Sequence, residues 1–364
     1  MIGGVLMFKS LNSVIESVTC DELNIEDSFF DSLRDTYGQE FNSWFEKCAD
    51  TRRDAFAIRE NGKVYALCIY KVEHNEAVND DGWNPCETKL KICTFKVSSE
   101  VRGVKYGEKL LAAVFQLCRE KKIPFVYLTT GNIQRSLIDL LESFGFFSNG
   151  CQTVRGRETP DDVYAKWTIP SFTGLKKLEK AEFLKRFYPS YLDDVKVNKY
   201  LVPIQKEWHE KLFPEISYFA DSLFGAHLDF QESEGNTIRK VYICKANISS
   251  IEPGDLLYFY RSEDRHSVEA YGAVDAVIRS TDLTEIMEIV EGRTVYTKEK
   301  LREILISAKN GLLVLRFVVL GYIKPEVTSE MMKNHGVPIP QTISTIDADS
   351  YETLFKQNQL WPLS

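Results

Sequence analysis

Residues 101–111 read Val-Arg-Gly-Val-Lys-Tyr-Gly-Glu-Lys-Leu-Leu, a short loop with two glycines running into an apolar-periodic segment. A loop that feeds a helix N-terminus gathers unpaired backbone N–H groups at the positive end of the helix dipole, so it can seat a phosphate or pyrophosphate. The spacing is neither the G-x-G-x-x-G of a dinucleotide loop nor the Gly-Lys-Ser/Thr ending of a P-loop. An unliganded strand-to-helix turn is the alternative. Upstream, Glu73 and Glu87 flank a central apolar strand and are candidate proton acceptors, though loop carboxylates are commonly solvated. Tyr127 lies in the apolar run 125–128; it is a candidate proton donor or a core tyrosine with a satisfied hydroxyl.

These residues need elements to hold them. Residues 55–59 and 63–70 are alternating or apolar runs around Asn61-Gly62, the strongest short-range signal for a tight hairpin. A strand is expected over 89–97, a helix from about 106 to 121, a buried strand over 125–128 and a helix over 132–144 that stops at Gly145. Residues 163–167 read as a last strand. The order is hairpin, strand, helix, strand, helix, strand.

Order and loop together resemble the GNAT family of N-acetyltransferases. The family's acyl-CoA loop, Gln/Arg-x-x-Gly-x-Gly/Ala, corresponds to Arg102-x-x-Lys105-x-Gly107, with Lys105 in place of the middle glycine, and Phe144-Gly145-Phe146 resembles its closing Gly-Phe. The resemblance covers residues 1–168 and implies acetyl-CoA as cofactor. It places the pyrophosphate on backbone N–H groups of Arg102, Gly103, Lys105, Gly107 and Glu108, and the thioester arm beside Phe95, Lys96 and Val97. It implies a base, for which Glu73 is the candidate. Counting back from Gly145-Phe146, the family's Asn falls on Gln134 and its acidic Tyr on Leu141, so the usual acid is absent. Tyr127 is one candidate for the thiolate acid, water is another, and binding without transfer is a third reading.

Composition bounds the class. The 364 residues suffice for two cores, and no apolar run approaches the length of a membrane span. Eight irregularly spaced cysteines without a Cys-x-x-Cys pair, several within apolar runs, indicate a reducing cytoplasm with no disulfide framework and no zinc site. The five histidines are scattered, with no metal-binding spacing; His209 reads as a capping or packing residue. The start of the chain lacks a basic n-region, so no signal peptide is expected. Net charge is −8, nearly all of it beyond residue 200, and neither half is a basic surface for indiscriminate phosphate binding.

The second half has its own pattern. Short strands are expected over 241–244, 256–261, 270–278 and 312–320, with a helix from Glu299 to Lys309 capped by Thr297. Ile251 to Ser262, Ile-Glu-Pro-Gly-Asp-Leu-Leu-Tyr-Phe-Tyr-Arg-Ser, followed by Gly272-x-Val-x-x-Val277, resembles the PUA-like superfamily of the ASCH and EVE type. That resemblance implies RNA or modified-nucleotide binding. Tyr258 and Tyr260 would share one strand face and could stack a base, beside Lys245, Arg261 and Ser262; a solvated face beside a core is the alternative.

The fold class is therefore α+β: a GNAT mixed sheet with flanking helices (1–168), a helical connector (169–202), a PUA-like small β-barrel domain (203–325) and a C-terminal tail with a short helix (326–364). The expected function is an acyl-CoA-dependent N-acetyltransferase whose PUA-like domain recognises an RNA or nucleotide-containing acceptor. The alternatives are a catalytically silent acyl-CoA-binding regulator and an RNA- or modified-nucleotide-binding protein. The acceptor and the oligomeric state are left open.

Overall fold

The computed structural model describes residues 15–101, 103–153, 159–170, 178–214, 237–290 and 293–358. They form two mixed sheets. The first has the order β1-β2-β3-β4-β5-β7-β6, with β1 Glu16–Thr19, β2 Asp54–Glu60, β3 Lys63–His74, β4 Thr88–Val97, β5 Phe125–Thr130, β6 Phe147–Gln152 and β7 Asp161–Trp167. Asn61 and Gly62 make the turn between β2 and β3, with φ of 49° and 81° at the pair. Two successive positive φ values match the right-handed strand twist of a two-residue hairpin loop, and Asn-Gly adopts them at low steric cost. All neighbours run antiparallel except β4 and β5.

Helices cover both faces of this sheet. The 15-residue α3, Tyr106–Glu120, buries Leu110, Leu111, Val114, Phe115 and Cys118 along one stripe, against Ala66, Cys68, Tyr70 and Ile92. On the other face α1 Asp31–Tyr37 and α2 Gln39–Asp50 enclose Phe30, Phe41, Phe45, Leu67 and Ile69. The helix α4 Arg135–Ser143 ends before Gly145, which takes φ 79°. A Cβ there would lie 2.1 Å from the carbonyl oxygen of Lys185, so glycine is required both by the turn and by the close approach of the connector.

The second sheet has the order β13-β8-β10-β11-β12-β9, with β8 Lys199–Ile204, β9 Arg239–Cys244, β10 Leu256–Arg261, β11 Ser267–Ser280, β12 Leu312–Thr328 and β13 Ser344–Thr345. Its flanking helices are α6 Lys206–Leu212, α7 Leu283–Val290, α8 Lys298–Ile306 and α9 Ser329–Asn334, with Thr297 accepting from Lys300 N as the cap of α8. The edge strands β13 and β9 do not pair with each other among the described residues, so the expected small barrel is seen as an open sheet. Three register shifts along the long β11–β12 pair supply local twist without closing it. Strand β8 begins inside the segment read as a connector, and β13, from the segment read as a tail, pairs with it.

The connector helix α5 Lys180–Phe187 ties the halves together. The Pro253-Gly254-Asp255 turn puts the fully buried Asp255 carboxylate where it accepts from the N–H groups of Asn198 and Glu252, both at 2.9 Å, and from Lys180 Nζ at 2.7 Å. Further along, Tyr188 Oη donates to Val319 O at 2.8 Å and Arg119 Nη1 to Leu320 O at 2.7 Å. One buried apolar cluster runs without a break from Ile58 through α3, Tyr188 and Val318 to Phe355. No helix among the described residues is long and apolar enough to cross a membrane.

Candidate functional site

Strands β4 and β5 pair over only three residues, Leu90 with Val126, Lys91 with Tyr127 and Ile92 with Leu128. Beyond that they part. The β3–β4 register skips Cys93, passing from Tyr70–Ile92 to Ile69–Thr94. Ile92 and Phe95, three residues apart, consequently both pack towards the α3 side, where strict alternation would oppose them. Such a bulge bends its strand, and here it turns β4 away from β5. Residues 93–97 are half-exposed, with β3 on one side and an open edge on the other. Phe95 and Val97 keep an apolar wall along that edge, against the α3 cluster. Lys96 turns to the opposite face, where its ammonium donates to Phe29 O and to Ser32 Oγ (2.6 Å) over the Phe29 ring. Only its backbone is left for a ligand.

The open edge leads into the loop before α3. Arg102 lies outside the described residues. Gly103 takes φ 89° and Lys105 takes φ 63°, ψ 24°, a left-handed conformation in a position where the family has glycine. The first intrahelical bond runs from Lys109 N to Lys105 O, so the N–H groups of Gly107 and Glu108 fall in the turn that a helix cannot satisfy itself. A Cβ at Gly107 would sit 3.0 Å from Leu140 Cδ2 and 3.9 Å from Phe95 Cε1, which fits this helix end closely against β4 and α4. The Glu108 side chain points elsewhere. It is buried, and its carboxylate accepts from Ile238 N (3.1 Å), Arg239 N (3.5 Å) and Arg293 Nη2 (2.8 Å).

Glu73 and Tyr127, 54 residues apart in sequence, meet directly: Tyr127 Oη donates to Glu73 Oε2 at 2.5 Å. Lys71 Nζ lies 2.6 Å from Glu73 Oε1, and Lys91 Nζ stands 5.4 Å from the Tyr127 ring centre while donating to Gln152 Oε1 at 3.0 Å. Burial alone would raise the Glu73 carboxyl, but the Lys71 ammonium and the Tyr127 hydroxyl outweigh it and hold it below the usual carboxylate value. Burial and the adjacent carboxylate push the Tyr127 phenol far above its ordinary value. The site thus holds a carboxylate that is ionised and a phenol that keeps its proton. Tyr127 sits one register step before β4 and β5 part. At 0 % exposure it is also a core tyrosine with a satisfied hydroxyl, packed with Val78, Phe125 and Val163, and Glu73 is 2 % exposed. Lys71 and Lys91 were missed as site residues; the spacing Lys71-Val72-Glu73 on a strand, which puts the two charges on one face, is the signal that could have found Lys71. Glu87 precedes β4, and Leu141, at the family's acid position, is fully buried in the α3 cluster.

The candidate nucleic-acid residues of the second sheet are not brought together at a surface. Tyr258 and Tyr260 are 0 % and 1 % exposed. Tyr258 stacks on Tyr271 with ring centres 5.7 Å apart and is covered by Phe355 at 5.1 Å, leaving no face for a base. Their alternation with Phe259 is as expected, but β10 is a central strand with a core on each face. Arg261 is buried and its charge is met by Asp264 (2.5 Å) and Glu210 (2.6 Å). Ser262 donates to Ile204 O at 3.3 Å, and Lys245 is exposed. His209 is fully buried against Phe213, a packing position.

Residues 20–146 match the model of the acetyltransferase (GNAT) family. This segment has the GNAT fold. Among solved structures, a ribosomal-protein-alanine N-acetyltransferase from Brucella melitensis is similar at 19 % identity, with 42 % of this chain and 99 % of that one covered and a TM-score of 0.31. A GNAT family acetyltransferase from Elizabethkingia anophelis with acetyl-CoA bound is similar at 15 % identity over 42 % of this chain and 97 % of that one, with a TM-score of 0.28. An ASCH protein from Zymomonas mobilis is similar at 10 % identity over 42 % and 91 %, with a TM-score of 0.31. No curated protein matches.

Proposed function

We propose that the GNAT domain transfers an acyl group, acetyl in the first instance, from acyl-CoA to an amine. The observation that carries this reading is the parting of β4 from β5 beyond Ile92 and Leu128, with the Glu73–Tyr127 pair one register step before the opening. Acetyl-CoA would supply the activated thioester. The residues present fit it: an apolar wall at Phe95 and Val97, an open β4 edge, and helix-end N–H groups at Gly107 and Glu108, with Gly107 close to the Phe95 ring. Gly103 and Lys105 shape the loop around those donors.

In this reading Glu73 is the base, ionised and held in place by Lys71, and Tyr127 is the proton donor. A proton taken up at Glu73 and one given up at Tyr127 are reconciled across their own hydrogen bond, so the pair returns to its starting state. Acceptor recognition falls to the second sheet and to the first helices. With Tyr258 and Tyr260 packed inside, a nucleotide-bearing acceptor would be met there by charge, at exposed Lys245, and not by stacking. The burial of Leu141 at the family's acid position favours a second reading, in which the domain binds acyl-CoA without turnover.

Calorimetric titration with acetyl-CoA tests the seat: wild type should bind, and Gly107→Trp, which drives a ring into Leu140 and Phe95, should not. CoA release over an amine panel, repeated with Glu73→Gln, then separates turnover from silent binding. Absence of acetyl-CoA binding by the wild type would end both readings.

A further inference from the structure

Where the two sheets meet, a cavity of about 370 Å³ is lined by the end of α4, by the connector and by the face of the second sheet that looks towards α4. Three arginines converge on it. Arg239 on β9 pairs in register with Val318, and Arg316 lies two residues before Val318 on β12, so the two guanidinium groups share a face. Arg293 arrives from the loop after α7. Lys185 on α5 adds a fourth cation.

Two carboxylates answer them. Asp275 sits where the β11–β12 register skips between Val274 and Ala276, and the bulge brings its Oδ2 to 2.6 Å from Arg316 Nε and 3.3 Å from Arg239 Nε. Glu108 takes Arg293. Four cations against two carboxylates leave a surplus of two positive charges in a space where the Arg239 side chain is only 15 % exposed. Arg239 is saturated by Ser143 and by Asp275, and its plane lies 4.2 Å over the Phe144 ring. Arg316 differs. Among the described residues its Nε is engaged by Asp275 and its two terminal nitrogens have no partner. Burial lowers the Arg239 guanidinium below its ordinary value against the opposing pull of Asp275 and Glu108, with the neighbouring Arg316 and Arg293 adding to the lowering.

We propose that this cavity binds a phosphoryl group, carried by a small organic molecule or free, with Arg316 as its principal donor and Asp275 holding the guanidinium in position while the site is empty of ligand. Arginine forks match phosphate geometry, and the cavity is of the size that takes a small ligand. The reading does not depend on acyl transfer, because it concerns a different surface of the chain.

Inorganic phosphate, ribose 5-phosphate and AMP are titrated calorimetrically into the full chain at low ionic strength, with no acetyl-CoA present. At least one should bind. Arg316→Gln should weaken it by about tenfold or more, the loss expected for a hydrogen bond to a charged group. Asp275→Asn should tighten it several-fold, because it removes a carboxylate whose charge repels the ligand beside Arg316. That opposite sign guards the test, since a damaged fold cannot gain affinity. Equal affinity for inorganic phosphate and AMP assigns the site to the free ion, and tighter AMP assigns it to an organic phosphate; both uphold a phosphoryl site. No binding by any probe at millimolar concentration, or affinities that neither variant moves, would overturn it.

Discussion

Removing the Glu108 carboxylate should be among the most damaging single changes to this chain, although the residue stands in the first turn of a helix where an acid usually does no more than complement the dipole. In Glu108→Ala three donors lose one acceptor: the N–H groups of Ile238 and Arg239 and the Arg293 guanidinium, bonded at 3.1, 3.5 and 2.8 Å. The Glu108 and Arg293 side chains are 4 % and 11 % exposed, so water replaces little of what is lost. Breaking one partner out of a buried ion pair costs about 3–5 kcal/mol. The 3.5 Å contact adds little, and about 4 kcal/mol is a fair central figure, a large part of the 5–15 kcal/mol that is ordinary for a folded protein. Urea unfolding measures it. With a slope of about 3 kcal/mol/M, the midpoint should fall by about 1.3 M with the slope itself unchanged. Glu108→Gln, which keeps an acceptor for the backbone donors, should lose about half as much. Arg293→Ala combined with Glu108→Ala should cost much less than the sum of the two, giving a coupling of at least 1 kcal/mol. An Ala variant within 1 kcal/mol of wild type would show that this contact does not hold the two sheets together.

Three further outcomes are expected. Glu73→Gln should lower kcat for acyl transfer by roughly 10²–10⁴-fold while leaving the KM for acetyl-CoA nearly unchanged, and a parallel rise in that KM would mean that Glu73 shapes the seat instead of the chemistry. Gly145→Ala should destabilise by about 3 kcal/mol, because it adds a 2.1 Å clash with Lys185 O to the left-handed backbone; Gly62→Ala, at φ 81° with open space around it, should cost only about 1 kcal/mol, and equal losses in urea unfolding would contradict the account. Burial and nearby Arg261 lower the His209 imidazole to about 3. The unfolded chain therefore takes up this proton near pH 6.5 while the folded chain resists it, so the contribution of His209 is present above that pH and is lost as pH falls. Between pH 6.5 and 5 the wild type should lose up to about 1.4 kcal/mol per pH unit that His209→Phe retains, and identical pH profiles for the two proteins would refute it.

Much of the frame was readable because its signals are local. The Asn61-Gly62 turn, the start of α3 at Tyr106, the bounds of β10 and the Thr297 cap depend on residues within a few positions of each other. The meeting of Glu73 with Tyr127 was not readable; each was a candidate alone, and their contact depends on register across β3, β4 and β5. The bulge at Cys93 carries no glycine or proline to announce it. Alternation showed that Tyr258 and Tyr260 face together, yet it could not show that Tyr351 and Phe355 close over Tyr258. Glu108 was read only for its backbone N–H, because the partners of its carboxylate lie 130 to 185 residues downstream. The two-residue β13 is too short to leave a pattern.

The unbroken apolar cluster from Ile58 to Phe355 bears on how the chain is made. On a ribosome the GNAT half emerges first, with β1 to β7 and their helices all present, but the surface of α3 and the connector that meets Val318 and Leu320 has no cover until β12 has been synthesised. The nascent first half must then wait, with apolar surface exposed, for a partner that is still being translated. Pauses in translation before β12 should therefore be hazardous for this protein in a way they would not be for two domains joined by a free linker.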